Sequence, residues 1–487
     1  MNISTGWLAR LERLGNRLPH PTLLFVWLCL LLLPVSALVS VITPDTAHPL
    51  TGDPLPIRSL LTAEGVRWML TSMVGNFTGF APLGVVLVAM LGIGVAEHSG
   101  LLGSVLSAIV RRAARPLLVP LVAFAGVLSS IAADAGYVVL IPLAALLFQR
   151  AGRSPLTGIA VAFAGVSGGF SANLLLGPID ALLAGISTEA ARTLQPDSSV
   201  GAAANYWFML VSTVLVTAVI TLVTPAEKPG AAVVTATEPT TTPKRTTLLT
   251  LLGLLVYLIG IATLTLPDGA PLRHPDSGDL LSSPFMQGIV IVIALGFAVC
   301  GLIFGYSSGT FRNGSDVILA LEKAMAQLAG YLVLMFFAAQ FVAWFNWSGM
   351  ALVMAVQGAA ALTALNMPTP LLMVGLVLLV ALLNLLIGSA SAKWALLAPL
   401  LVPMLMLAGV QPDATQAAFR VGDSSTNLIT PLMPYFALVL GFVRQYKSDA
   451  GVGTLMAMML PYSLALLLAW GLLLGIWLGL GWPLGPA

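Results

Sequence analysis

The sequence predicts an all-α polytopic membrane protein arranged as an inverted repeat, with about nine crossing helices and two opposed re-entrant hairpins. Three observations lead there. The 487-residue chain is 58% hydrophobic and 8% charged, with a mean hydropathy of +0.98, a balance foreign to soluble domains. Charge-free windows long enough to cross roughly 30 Å of hydrocarbon recur along it. Ordered pairs of motifs also recur in its two halves.

The first window, 22–42, follows Arg10, Arg13 and Arg17 with no small-residue cleavage site after it, so it reads as a retained helix. Further crossings are expected at 77–96, 156–190, 205–224, 247–267, 285–305, 328–346, 415–442 and 453–480. None shows the strict apolar/polar alternation of a membrane barrel, so the spans are helical. Segments 116–149 and 370–407 are interrupted at 130–136 and 388–393. Their arms, of about 12 to 19 residues, suit hairpins that enter and leave on one side. The Pro- and Thr-rich stretch 225–246 reads as a cytoplasmic linker between an N-terminal half, 1–224, and a C-terminal half, 247–487.

The halves share an order of motifs. "EHSGLL" at 97–102 pairs with "NWSGMA" at 346–351, and "DAGYVVLIP" ending at Pro142 with "SAKWALLAP" ending at Pro399. The latter pair makes Tyr137 and Trp394 equivalent, and "FSANLLLGP" from Phe170 pairs with "SSTNLITP" from Ser424. Charge sets the relation between the halves. With the N-terminus cytoplasmic, fifteen Lys and Arg fall on the cytoplasmic side and only Arg58, Arg67, Arg192 and Arg273 on the other. Loops flanking the first hairpin carry five arginines and those flanking the second carry no Lys or Arg, so the hairpins enter from opposite faces.

That count leaves Lys393 and Arg420 at membrane depth, with Asp134, Asp180 and Asp423. A charge there costs a few kcal/mol, so it faces protein or water and is usually functional. All five lie beside a helix break. Interrupted helices free backbone groups that are tolerable only where they line a cavity, as in the sites of inverted-repeat transporters. Asn173, Asn384, Ser425 and Asn427, with Asp423, are candidate ion-binding or coupling groups, and Asn384, Asp423 and Asn427 offer hard oxygens for a possible Na⁺. Arg420 matches a carboxylate, and Asp180, Trp394 and Lys393 are its candidate companions against substrate. Plainer alternatives stand beside these. Arg420 and Asp423 could pair only with each other, Lys393 could snorkel, and Asp134 and Asp180 could cap helices. Cys29, Cys300 and the four histidines show no disulfide or metal-ligand spacing.

"GSASAKWALLAPLLVPM" at 388–404, "RVGDSSTNLITPLMPYF" at 420–436 and "ANLLLGPIDALLAGIST" at 172–188 resemble the aminobenzoyl-glutamate transporter (AbgT) family. The resemblance implies a bacterial inner-membrane homodimer with a transport core inside an outer scaffold. It also implies ion-coupled movement of p-aminobenzoyl-glutamate, export of sulfonamides in some members, and functional roles for Asp180, Asn384, Trp394, Arg420 and Asp423. Expected partners are a small-molecule substrate and the lipid bilayer, with no nucleic acid. No cofactor is expected beyond a coupling ion, Na⁺ or H⁺. Competing readings are a Na⁺-coupled importer of another small carboxylate, a passive channel, and an intramembrane aspartyl protease needing paired carboxylates. No nucleotide-binding loop supports a primary pump.

Overall fold

The computed structural model describes residues 21–42, 46–47, 54–111, 115–132, 136–226, 243–275, 278, 283–433 and 435–486. Arg10, Arg13, Arg17, His20, His48, Arg112, Asp134, Lys228 and linker residues 227–242 lie outside the described residues. The regular secondary structure of the described residues is helical except for one two-residue antiparallel pair, β1 (Thr46–Ala47) with β2 (Pro54–Leu55). The N-terminal half holds α1 (Pro21–Ile42), α2 (Ala63–Thr78), α3 (Ala81–His98), α4 (Leu101–Arg111) and α5 (Leu118–Leu128). It continues with α6 (Ile141–Arg150), α7 (Pro155–Phe163), α8 (Pro178–Arg192) and α9 (Tyr206–Val223). The C-terminal half begins with α10 (Lys244–Thr265), α11 (Ile289–Ser308), α12 (Gly314–Gln327), α13 (Ala329–Trp347) and α14 (Met350–Ala364). It ends with α15 (Thr369–Asn384), α16 (Ala390–Leu407), α17 (Pro412–Thr426), α18 (Phe436–Arg444) and α19 (Val452–Gly479).

Eight helical stretches among the described residues are long and apolar enough to cross a membrane. Seven overlap expected crossings, although the second runs over Ala63–His98 and starts well before 77. The eighth, Ala390–Leu407, falls inside the segment expected to be a hairpin. The expected crossings 156–190 and 415–442 are instead interrupted: a π-helical turn, Ala164–Gly168, and a non-helical stretch separate α7 from α8. A 3₁₀ turn, Asn427–Ile429, and a similar stretch separate α17 from α18.

Burial is inverted where a membrane would replace water. On α10 only Thr246, Thr250 and Thr265 are buried, while leucines such as Leu251, Leu255 and Leu258 point outward. On α17 every residue after Asp413 is buried, Arg420 and Asp423 included. Buried polar surface is the informative case, because it needs partners. Small residues let the helices close up. A Cβ on Gly92 of α3 would sit 2.0 Å from Ala294 O on α11, and one on Gly301 2.7 Å from Ala96 Cα. At the centre, a Cβ on Gly422 of α17 would lie 2.4 Å from Val377 O on α15.

Contacts trace the chain direction. α9 runs antiparallel to α19: the Phe208 and Trp477 rings meet, Trp470 bonds Ser212, and Thr224 bonds Tyr462. α15 and α17 run side by side in the same sense, with Val377 beside Gly422 and Asn384 beside Asp423. α16 returns from Lys393, beside Asp423, to the 408–411 loop that starts α17. In the N-terminal half, Gly126 of α5 packs against Gly165 in the π-helical turn after α7, and Gly158 of α7 packs against Ala144 of α6. The 408–411 loop lies near the start of α9, where Asn205 Nδ2 donates to Asp413 O at 2.8 Å. The break after α7 meets the last turn of α17, where Ser171 N donates to Ser424 Oγ at 3.1 Å.

Candidate functional site

Arg420 and Asp423 sit one helical turn apart on α17, yet neither pairs with the other. Arg420 donates through Nη2 to Asp180 Oδ1 on α8. Asp423 Oδ1 accepts from Lys393 Nζ on α16 at 2.5 Å. All four side chains are almost fully buried. The result is two crossed ion pairs, closing α17 against a different helix at each.

Asp180 gains its place from the break before it. It is the third residue of α8, and its Oδ2 accepts from Gly177 N at 2.7 Å, so it caps the first turn while its other oxygen holds Arg420. The capping and functional readings of Asp180 are therefore compatible. Arg420 Nη1 faces Ser171 O at 3.4 Å and Met209 Sδ at 3.1 Å. Its Nε is buried with no hydrogen-bond partner among the described residues. An unmet donor on a buried guanidinium is costly, and an acceptor brought by a ligand would satisfy it.

Lys393 does not snorkel. Its side chain is wholly buried, and Nζ also donates to Asn384 Oδ1 and lies 5.9 Å from the Phe419 ring centroid. Asn384 Nδ2 in turn donates to Asp423 O at 2.7 Å, Thr426 Oγ1 at 2.9 Å and Asn427 Oδ1 at 2.8 Å. Asn427 Nδ2 reaches Asp423 Oδ2 at 3.3 Å. Asn384, Lys393, Asp423 and Asn427 thus form one network. As a Na⁺ site its fit is poor, because the side-chain oxygens of Asn384 and Asn427 and one oxygen of Asp423 each already face a donor. Among the described residues there is no cluster of three or more His, Cys, Asp or Glu.

Ser425 and Asn173 stand apart from that network. Ser425 Oγ donates back to Val421 O at 2.7 Å, and its carbonyl accepts from Ser463 Oγ at 2.7 Å. Asn173 Oδ1 accepts from Leu174 N at 2.8 Å, while Nδ2 donates to Ser130 Oγ at 2.7 Å beside the first helix–break–helix unit. Trp394 is fully buried, 4.6 Å centroid to centroid from Phe419. Its Nε1 donates to Ser187 Oγ at 3.0 Å. Its counterpart Tyr137 stacks on Tyr435 at 4.2 Å and 8°.

Sequence reasoning missed a polar chain leading from Trp394 outward. Ser187 Oγ bonds Gln416 Oε1 at 2.7 Å, and Gln416 Nε2 donates to Asn205 Oδ1 at 3.0 Å. Gln416 precedes Arg420 by four residues, so helical periodicity alone places it on the same face.

Comparison with known proteins fixes the family. The profile of the AbgT transporter family matches residues 6–487. The chain belongs to that family. It is 38% identical to the p-aminobenzoyl-glutamate transport protein of Escherichia coli (strain K12), across 99% of this chain and 96% of that one. The crystal structure of the Alcanivorax borkumensis YdaH transporter superposes with a TM-score of 0.93 at 59% identity, covering 96% of this chain and 100% of the other. The Neisseria gonorrhoeae MtrF structure, described as one of a class of antimetabolite efflux pumps, superposes at 0.89 with 42% identity, covering 97% of each chain. The AbgT chain described here is a membrane-embedded transporter of small molecules and not an enzyme. Its buried carboxylates fit that conclusion, for Asp180 and Asp423 are each bonded to a cation and not to one another.

Proposed function

We propose that this AbgT protein is an ion-coupled secondary transporter of p-aminobenzoyl-glutamate-type folate fragments that also exports sulfonamide antimetabolites. The observation that carries this reading is the pair of buried, crossed ion pairs where two interrupted helices meet. Arg420, with Nε unclaimed, is the carboxylate-binding group, and Asp180 holds it in place. Trp394 and Phe419 supply an aromatic wall once the site opens. Asp423, Asn384 and Asn427 form the coupling network.

The relatives named above supply the substrate classes, one by its p-aminobenzoyl-glutamate name and one by its antimetabolite description. In the same proposal the segments 116–149 and 370–407 are opposed re-entrant hairpins related by an inverted repeat. The unequal arginine count around the two segments supports this. The protein acts as a homodimer in the bacterial inner membrane with a cytoplasmic N-terminus, which the asymmetry of Lys and Arg supports.

Titration calorimetry of purified protein tests the carboxylate grip. Arg420→Lys keeps the charge and loses the planar fork, so p-aminobenzoyl-glutamate binding should weaken by about 1 to 3 kcal/mol. A sulfonamide lacking a carboxylate should lose much less. Equal losses for both ligands would leave Arg420 as scaffolding only.

A further inference from the structure

We infer that Lys393 is a tethered cation that fills the alkali-metal position of the coupling network and keeps Na⁺ out. The inference rests on the reading of Asn384, Lys393, Asp423 and Asn427 as that network. Three features support it.

First, Lys393 Nζ takes the place a metal would need. It bonds Asn384 Oδ1 and Asp423 Oδ1 together, the two oxygens nominated as Na⁺ ligands that come from different helices. The third, Asn427 Oδ1, accepts from Asn384 Nδ2 at 2.8 Å. An amide hydrogen directed at that oxygen opposes a cation there.

Second, the charge of Asp423 is already balanced. The charged groups nearby are Asp423 and Arg420 on α17 and Asp180 on α8, and Arg420 is held by Asp180. The adjoining helices α13, α14 and α15 bring no charged residue. A second cation in the cage would face the ammonium with no further carboxylate, in an environment that screens it weakly.

Third, the ammonium has no exit in this conformation. Lys393 has 0% exposure, and Nζ lies 5.9 Å from the centroid of the Phe419 ring. Its first-half counterpart by motif alignment is Gly136, where no side chain can play this part. The tethered cation therefore belongs to one half of the repeat only.

The test compares NaCl with choline chloride at equal ionic strength and fixed pH. Thermal midpoint and p-aminobenzoyl-glutamate affinity are both read on purified protein. Wild type should give the same midpoint in either salt and a Kd unchanged within about twofold. Lys393→Met and Lys393→Gln vacate the cage and leave Asp423 unpaired, so each should gain a saturable upward shift of the midpoint with Na⁺. Lys393→Arg, and the double variant Lys393→Met with Asp423→Asn, should gain none.

A saturable Na⁺ response in wild type that disappears in Asp423→Asn would overturn the inference. So would folded Lys393→Met and Lys393→Gln proteins that stay indifferent to Na⁺. Should neither variant fold, the wild-type comparison decides alone. Failure of p-aminobenzoyl-glutamate to bind wild type in either salt would instead overturn the substrate reading, and the thermal measurement would still report on Na⁺.

Discussion

Asp423 meets two different demands, because its carboxylate both neutralises Lys393 and bonds Asn427. Asp423→Asn leaves the ammonium buried without a counter-charge, which costs about 3 to 5 kcal/mol in comparable buried pairs. Adding Lys393→Met removes the orphan charge, so the double variant should regain most of the lost thermal stability while transport stays absent. A double variant no more stable than Asp423→Asn would mean that the pair contributes little. Trp394 separates shape from polarity. Trp394→Phe keeps a ring against Phe419 but deletes the donor to Ser187, and should cost about 1 kcal/mol of stability, the scale of one hydrogen bond. The site residues were legible because ionisable groups stand out in a chain that is 8% charged. Their pairing was not. Arg420 and Asp423 are neighbours in sequence, and only tertiary packing brings Asp180 and Lys393 to them from 240 and 30 residues away.

Interrupted helices and close glycine contacts explain how such residues gather. α15 and α17 touch backbone to backbone at Gly422, where a Cβ would fall 2.4 Å from Val377 O. Alanine in a helix interior is favoured over glycine by about 1 kcal/mol, but overpacking costs about 1 to 3 kcal/mol, and a backbone carbonyl cannot swing aside. Gly422→Ala should therefore lower the thermal midpoint. Gly375 on α15 has no atom within 4 Å of its would-be Cβ, so Gly375→Ala should leave the midpoint unchanged or raise it. The same sign for both substitutions would remove close packing as the reason for glycine at 422. From sequence, long apolar windows such as 453–480 gave helices nearly to the residue, because composition alone decides there. Segments expected to be short arms were harder: Ala390–Leu407 forms one helix long and apolar enough to cross.

Taken whole, the molecule brings the break after α7 against α17 at Ser171 and Ser424, beside the two buried ion pairs. The proposed topology makes a prediction independent of substrate. In a background with Cys29 and Cys300 replaced, Gln149→Cys should label only from the cytoplasm. Thr363→Cys and Ala408→Cys should label only from outside. Labelling of all three from one face would indicate a parallel repeat. Residue Ala114 lies outside the described residues. The class of molecule was readable from hydropathy and motif order. The crossed ion pairs needed the fold.

The central claim is that substrate moves through the site built on Arg420 and Asp423. Its most direct test is counterflow of radiolabelled p-aminobenzoyl-glutamate in proteoliposomes preloaded with unlabelled substrate, with imposed Na⁺ and pH gradients as separate arms. Wild-type vesicles should accumulate label transiently and respond to at least one gradient. Asp423→Ala and Arg420→Ala vesicles, carrying equal amounts of inserted protein, should stay at the level of empty liposomes. Undiminished accumulation by either well-inserted variant would contradict the account and place the transport pathway elsewhere in the molecule.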